Sequence, residues 1–303
     1  MEQPLVSIMM PTMNRCHDLR ETIKHLYEQQ YENIEIIVID NASTDGTREM
    51  IRTDFPKVKY IRLPRNFGAI VARNIGFANC FGKYILHLDD DSFPGRYCVA
   101  RMVEEFERNP KLGLIAFRVL DFWHFFQQHR WSSLQEELSP NGQLVQKRVV
   151  NWAGCGGGIR RDLRDKIGFY EEWGMEAMFE RTLSVKILDE GYSIESFSDI
   201  YVYHRWSANG EPAACRLARE ALFTGCRSTA LFFLKYFPAK LMIHQLWRLT
   251  YDAVFACIEQ KTTLYLWALL SAAQMSPAVW RDRQVINPAI LNLFHIPFNF
   301  KGK

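Results

Sequence analysis

The run Ile34-Glu35-Ile36-Ile37-Val38-Ile39 is almost unbroken apolar sequence, and Asp40 closes it. Six residues are a strand's length. A strand that is apolar at successive positions is covered on both faces, as in a parallel sheet. Such a strand needs a layer of helices on each side, and the flanking sequence supplies them. Residues 5–10 read as a strand, and Leu19, Ile23, Leu26 and Tyr27 follow at helical spacing. A turn cluster at residues 41–46 leads into a short helix that ends near Phe55. Strands follow at residues 58–61, 84–88 and 112–117. Helices over residues 68–80, and from Pro94 to about Arg108, lie between them. This alternation predicts an α/β fold with a mostly parallel central sheet, right-handed crossovers and flanking helices.

The pattern breaks over residues 120–150. Residues 122–131 are rich in aromatics and histidine, and both a flap beside a site and a packed surface loop stay open for them. Next come Gly154, Gly156, Gly157 and Gly158, a short helix, a longer helix near residues 177–190, and strands near 192–197 and 200–203. From about Pro212 to Met275 the chain is helical and aromatic. The expected organisation is an α/β domain over residues 1–210, in halves 1–118 and 119–210, with a helical extension over 211–303.

A formal net charge of +3 is too small for a nucleic-acid-binding surface, although it suits an anionic substrate or membrane. The seven cysteines form no C-x-x-C pair and their count is odd. That argues against a disulfide framework or structural zinc, and for a reducing, cytoplasmic setting. The N-terminus shows no signal-peptide pattern, and no stretch reaches the roughly 18 apolar residues of a membrane-spanning helix. Two readings stay open for the aromatic tail: a helical cap or dimer contact, and peripheral contact with the inner face of the cell membrane.

In an open parallel sheet, ligands sit at the carboxyl ends of strands. Asp40 closes the second strand, and Asp89, Asp90 and Asp91 close the fourth. Three adjacent carboxylates repel one another unless a cation is present. Hard oxygen ligands suit Mg²⁺ or Mn²⁺, which hold diphosphate at the same time. Side chains alternate along extended backbone, so Asp89 and Asp91 share one side. A helix cap at Asp91 or Ser92 would need one acid, not three.

The neighbours of the triplet make it specific. Val6-Ser7-Ile8-Met9-Met10-Pro11-Thr12-Met13-Asn14-Arg15 comes first, then Ile37-Val38-Ile39-Asp40-Asn41-Ala42-Ser43-Thr44-Asp45-Gly46-Thr47. Asn66-Phe67-Gly68 with Ala72-Arg73-Asn74-Ile75-Gly76 follows, then Leu88-Asp89-Asp90-Asp91. In this order they resemble glycosyltransferase family 2. The resemblance implies the Rossmann-like GT-A fold. It also implies transfer of a sugar from a UDP-, dTDP- or GDP-linked donor to a hydroxyl acceptor, with inversion at the anomeric carbon. It sets Pro11, Thr12, Asn14 and Arg15 near the base and diphosphate, and makes Asp40 the acceptor of a hydrogen bond from the base. Ser43 and Asp45 shape that loop, and Arg73 and Asp90 lie by the nucleotide. Asp89 matches a residue that contacts ribose or metal, Asp91 the principal metal ligand, and His204 the histidine that completes the metal shell. Residues 1–118 then bind the donor and 119–210 form the acceptor side. The loops have plainer readings too: residues 41–46 as an Asx turn, Asn66 and Asn74 as partners of backbone, and Gly68 and Gly76 as packing residues.

The glycine-rich segment at residues 154–161 also resembles the family's, and is expected to bring backbone close to the donor sugar. No Lys-Ser/Thr follows it, so it is no phosphate-binding P-loop. Family members carry a Glu-Asp pair, then an Arg, before a Gly-Tyr. Counted back from Gly191-Tyr192, these positions hold Phe179-Glu180 and Lys186. Glu180 is the expected catalytic base, and Glu176, one turn earlier, is its rival. Two other classes stay open. A sugar nucleotidyltransferase would carry a glycine-rich basic loop that residues 11–18 lack. A non-catalytic nucleotide-sugar binder is allowed by the departures at Phe179, Glu180 and Lys186.

Overall fold

The computed structural model describes residues 3–121, 144–172, 174–205, 214–291 and 293–294, and the aromatic stretch at 122–131 lies outside them. Contacts group the chain into two units: Met1–Phe169 with Glu190–Ala208, and Tyr170–Asp189 with Asn209–Lys303.

In the first unit, β1 (Val6–Thr12), β2 (Ile34–Asp40), β3 (Lys59–Arg62) and β4 (Tyr84–Leu88) are joined by α1 (Cys16–Tyr27), α2 (Thr47–Asp54) and α3 (Ala69–Ala78). They pair in parallel in the order β3-β2-β1-β4. The apolar run of β2 is covered from both sides. Ile36 and Val38 share a cluster with Leu19, Ile23 and Leu26 of α1. Ile39 faces α3, where a methyl added at Gly76 would come within 2.7 Å of it. The one acid in the run, Glu35, accepts hydrogen bonds from the Ser7 hydroxyl and, at 2.9 Å, from the Phe81 N–H.

The unit continues through β5 (Ser92–Pro94), α4 (Cys98–Arg108), β6 (Leu112–Ala116), β7 (Arg118–Asp121), β8 (Gln146–Arg148), β9 (Gly156–Arg160), α5 (Arg161–Ile167), β10 (Ser193–Phe197) and β11 (Tyr201–His204). The main sheet has the order β3-β2-β1-β4-β9-β6-β10-β8, and β5-β11-β7 form a second, smaller sheet. β9 runs antiparallel to both neighbours and β8 antiparallel to β10, while the remaining pairs of the main sheet are parallel.

Two expectations change. Pro94 does not open a helix: it ends β5, paired antiparallel with Val202, and α4 begins at Cys98. Proline's fixed φ fits a first helical turn or an edge strand equally, and the pairing with β11 decides. The glycine cluster, where no strand was expected, forms the buried central strand β9. A Cβ at Gly157 would lie 2.6 Å from the Trp152 ring, and one at Gly156 would lie 2.7 Å from Val202. These glycines make room for neighbouring side chains. Glycine's poor strand propensity is what hid the strand.

The second unit is helical. A 3₁₀ turn (Glu176–Met178) leads into α6 (Phe179–Asp189), and α7 (Ala214–Tyr236), α8 (Ala239–Glu259), α9 (Leu264–Arg281) and a last turn at Pro288–Leu291 follow. Phe232, Phe233, Tyr236, Leu249 and Tyr265 are fully buried in it. The Glu171 carboxylate is held there by Lys186 at 2.7 Å, Lys235 at 2.6 Å and the Tyr236 hydroxyl at 2.8 Å. Among the described residues, no helix is long and apolar enough to cross a membrane.

Candidate functional site

Asp89, Asp90 and Asp91 follow directly on β4, at the carboxyl end of the sheet. Asp90 turns toward β1 and α1. Its Oδ2 accepts the Thr12 hydroxyl at 2.7 Å, and its backbone carbonyl accepts the Thr22 hydroxyl at 2.8 Å. The register of β11 against β5 sets His204 opposite Ser92, next to Asp91. The His204 Nε2 lies 3.2 Å from Asp91 Oδ1 and 4.0 Å from Asp89 Oδ2. Asp89, Asp91 and His204 each offer one ligand atom within 4.8 Å of the others. Ligand atoms around one octahedral cation lie about 3–4 Å apart, given metal–oxygen distances near 2.1 Å. The set therefore fits a divalent cation after small side-chain shifts, with two hard carboxylate donors and one imidazole nitrogen.

Arginines complete the surround. Arg15 lies 2.8 Å from Asp91, 3.5 Å from Asp90 and 3.1 Å from Asp18. Arg73 reaches Asp89 at 2.5 Å, and its Nε donates at 2.8 Å to Nε2 of His87, a buried residue of β4. That bond keeps His87 Nε2 unprotonated. Burial, and then the charge of Arg73, hold the His87 pKa well below its usual value. Burial pushes Asp90 up to about 7, against the pull of Arg15 and Thr12. Burial also raises Asp89, despite Arg73. For Asp91, burial works upward, but the bonds and charges of His204 and Arg15 win and hold it low. Burial works to lower His204, and Asp91 wins and raises it. Burial thus works against the charge of Asp89 and Asp90, while Asp91 keeps its charge through His204 and Arg15.

Pro11, Thr12, Arg15, Arg73, the three aspartates and His204 line one cavity of about 700 Å³. Met13, Asp18, Asn41 and Asn66 line it too, and the sequence did not mark them as site residues. Arg15 and Asp18, three apart at the start of α1, were the available signal. Asn66 serves backbone as expected, accepting the Gly68 N–H at 2.8 Å, and it also accepts from the Asn41 amide at 2.6 Å.

The other marked residues build loops. Asp40 is fully buried and does not line the cavity. It accepts the Ser43 N–H at 2.7 Å and the Tyr60 hydroxyl, with Arg62 at 3.7 Å. Those bonds hold both of its oxygens. Ser43 Oγ accepts the Asn14 N–H at 2.9 Å, and Asn14 Oδ1 accepts the Thr44 N–H at 2.7 Å. Asn14 sits in the left-handed region at φ 54, where asparagine is tolerated. Together these bonds fix the loop that presents Thr12 and Arg15. Glu176 and Glu180 belong to the second unit. Glu176 is exposed and paired with Arg227 at 2.9 Å. Glu180 is half-buried in the first turn of α6.

Residues 7–168, more than half of the chain, match the model of glycosyl transferase family 2. The chain belongs to glycosyl transferase family 2. Over 96 residues this family 2 chain is 43% identical to an uncharacterized glycosyltransferase of Haemophilus influenzae, a match covering 31% of the chain and 38% of that protein. Over 211 residues it is 26% identical to the probable glycosyltransferase YdaM of Bacillus subtilis, covering 65% and 49%. The chain therefore spans half or less of the length of these relatives. It is also similar to the mannosyltransferase PcManGT of Pyrobaculum calidifontis in complex with GDP-Man and Mn²⁺, with a TM-score of 0.56 and 19% identity over 96% of this chain and 79% of that one. That likeness shows the GT-A fold.

Proposed function

We propose that this chain is an inverting, metal-dependent glycosyltransferase that moves a sugar from a UDP-, dTDP- or GDP-linked donor to a hydroxyl acceptor in glycan or glycolipid synthesis. The observation that carries this is the convergence of Asp89, Asp91 and His204 on the cavity that Arg15 and Arg73 also line. The fold shared with a GDP-Man and Mn²⁺ complex supports it. Asp91 and His204, with Asp89, would hold Mg²⁺ or Mn²⁺. The ion supplies charge neutralisation for a departing diphosphate. Arg15 and Arg73 add fixed positive charge where negative charge develops. Thr12 anchors Asp90, and Asp40, Ser43 and Asn14 hold the loop around Pro11, Thr12 and Arg15 in place. Glu180 takes the proton of the acceptor hydroxyl as its oxygen attacks the anomeric carbon and the bond to diphosphate breaks. Donor binding is assigned to residues 1–118 and the acceptor side to residues 119–210.

Incubation with Mn²⁺ and a panel of UDP-, dTDP- and GDP-sugars tests this. Release of a nucleoside diphosphate that EDTA stops is the expected result. Donor binding without any turnover would instead make the chain a nucleotide-sugar binder. If no nucleoside diphosphate binds more tightly with Mn²⁺ than without it, the metal assignment is wrong. Glu180→Gln should keep donor affinity and lose about 10²–10⁴ in rate. A near wild-type rate would move the base to Glu176.

A further inference from the structure

One face of the helical unit is apolar and turned to solvent. On α8, Ile243, Trp247, Tyr251, Phe255 and Ile258 are 58–73% exposed. Their spacing puts them on one stripe of the helix, and from Ile243 to Ile258 the helix rises roughly 22 Å. The other side of α8 buries Met242, Leu249, Ala253 and Ala256 within the unit. Packing thus consumes one apolar face and leaves a second. Helix α9, which packs on α8, adds exposed Leu266, Trp267 and Leu270.

The charges around the stripe are ordered. Exposed Lys240 stands at one end, and exposed Lys261, in the turn after α8, at the other. Between them the acids are Asp252 and Glu259. At 3.6 residues per turn, both lie about 100° or more round the helix from the stripe's centre. We propose that this face docks on an anionic phospholipid surface, with α8 lying in the headgroup plane. Trp and Tyr side chains suit that layer because their rings are apolar with one polar edge. Lysines at both ends meet phosphate, while the stripe enters the acyl boundary. No described helix is apolar enough to span the bilayer, so the contact is peripheral. A second copy of the chain fits less well. Two-fold pairing along α8 sets Lys240 against Lys261 in one orientation and each lysine against its own copy in the other. Like charges then meet at both ends with no acid on the stripe between them.

Sedimentation of the full chain with vesicles tests this. Phosphatidylcholine vesicles containing phosphatidylglycerol should carry the protein down, and pure phosphatidylcholine should carry much less. The double variant Trp247→Ser/Phe255→Ser should weaken binding at least tenfold. Lys240→Glu/Lys261→Glu should weaken it on the anionic vesicles only. Both pairs are exposed, so an unchanged thermal melt confirms that each variant is folded. Wild-type protein that stays in the supernatant with anionic vesicles overturns the proposal. So does a light-scattering dimer that Trp247→Ser/Phe255→Ser turns into a monomer while vesicle binding is unchanged.

Discussion

Two groups of buried acids and cations, one in each unit, are built differently. In the helical unit a single carboxylate, Glu171, meets Lys186, Lys235 and the Tyr236 hydroxyl. Its charge is more than answered, and its pKa is held below the usual value by the two lysines against burial. At the end of β4 three aspartates crowd around Arg15, Arg73 and His204, and burial drives Asp89 and Asp90 upward. The first group is complete within the chain and serves the fold. The second faces a cavity, and because burial works against the charge of Asp89 and Asp90 it gains from whatever brings positive charge.

Perturbing each group separates stability from binding. The largest expected effect is on the satisfied group. Glu171→Gln leaves two buried ammonium groups without their carboxylate and should cost about 3–5 kcal/mol in urea unfolding. Asp91→Asn should act on the other axis. It should lose about 3–4 kcal/mol of transition-state stabilisation, a 10²–10³-fold loss of donor turnover, with the far-ultraviolet spectrum unchanged. A Glu171 variant that unfolds normally but loses turnover by the same factor would erase the contrast. His87→Gln comes next. His87 orients Arg73 without lining the cavity, so Mn²⁺-dependent affinity for a nucleoside diphosphate should fall about 10–100-fold. The smallest effect is in pH. The folded pKa of Glu171 lies below its ordinary 4.5, so its stabilisation is complete above that value and is lost as pH falls through the lowered one. Urea melts at successive pH values should show the gap between wild type and Glu171→Gln closing below about pH 4.5.

The two groups also differ in how visible they were in the sequence. Asp89-Asp90-Asp91 announces itself because three adjacent acids at a strand end have no ordinary structural use. Their carriers, β1 to β4, could be read from apolar runs of strand length. Glu171 gave no signal, since its lysines come from positions far along the chain. His87 was hidden inside an apolar run, and only the burial of Arg73 against it gives it a task. Asp40 stands at a strand end too, but its hydrogen bond from Tyr60, on the neighbouring strand, leaves no local mark in the sequence. Strand β9 was missed because three glycines carry no alternating pattern.

That glycine strand has a consequence for synthesis. β4 and β6 cannot pair with each other, because β9 lies between them and leaves the ribosome roughly forty residues after β6. Until it arrives, the nascent sheet presents two open edges of fully buried-type sequence, the kind of edge that recruits other chains. Gly157 and Gly158 let β9 fill that slot against Trp152 and Met102, where a Cβ would clash.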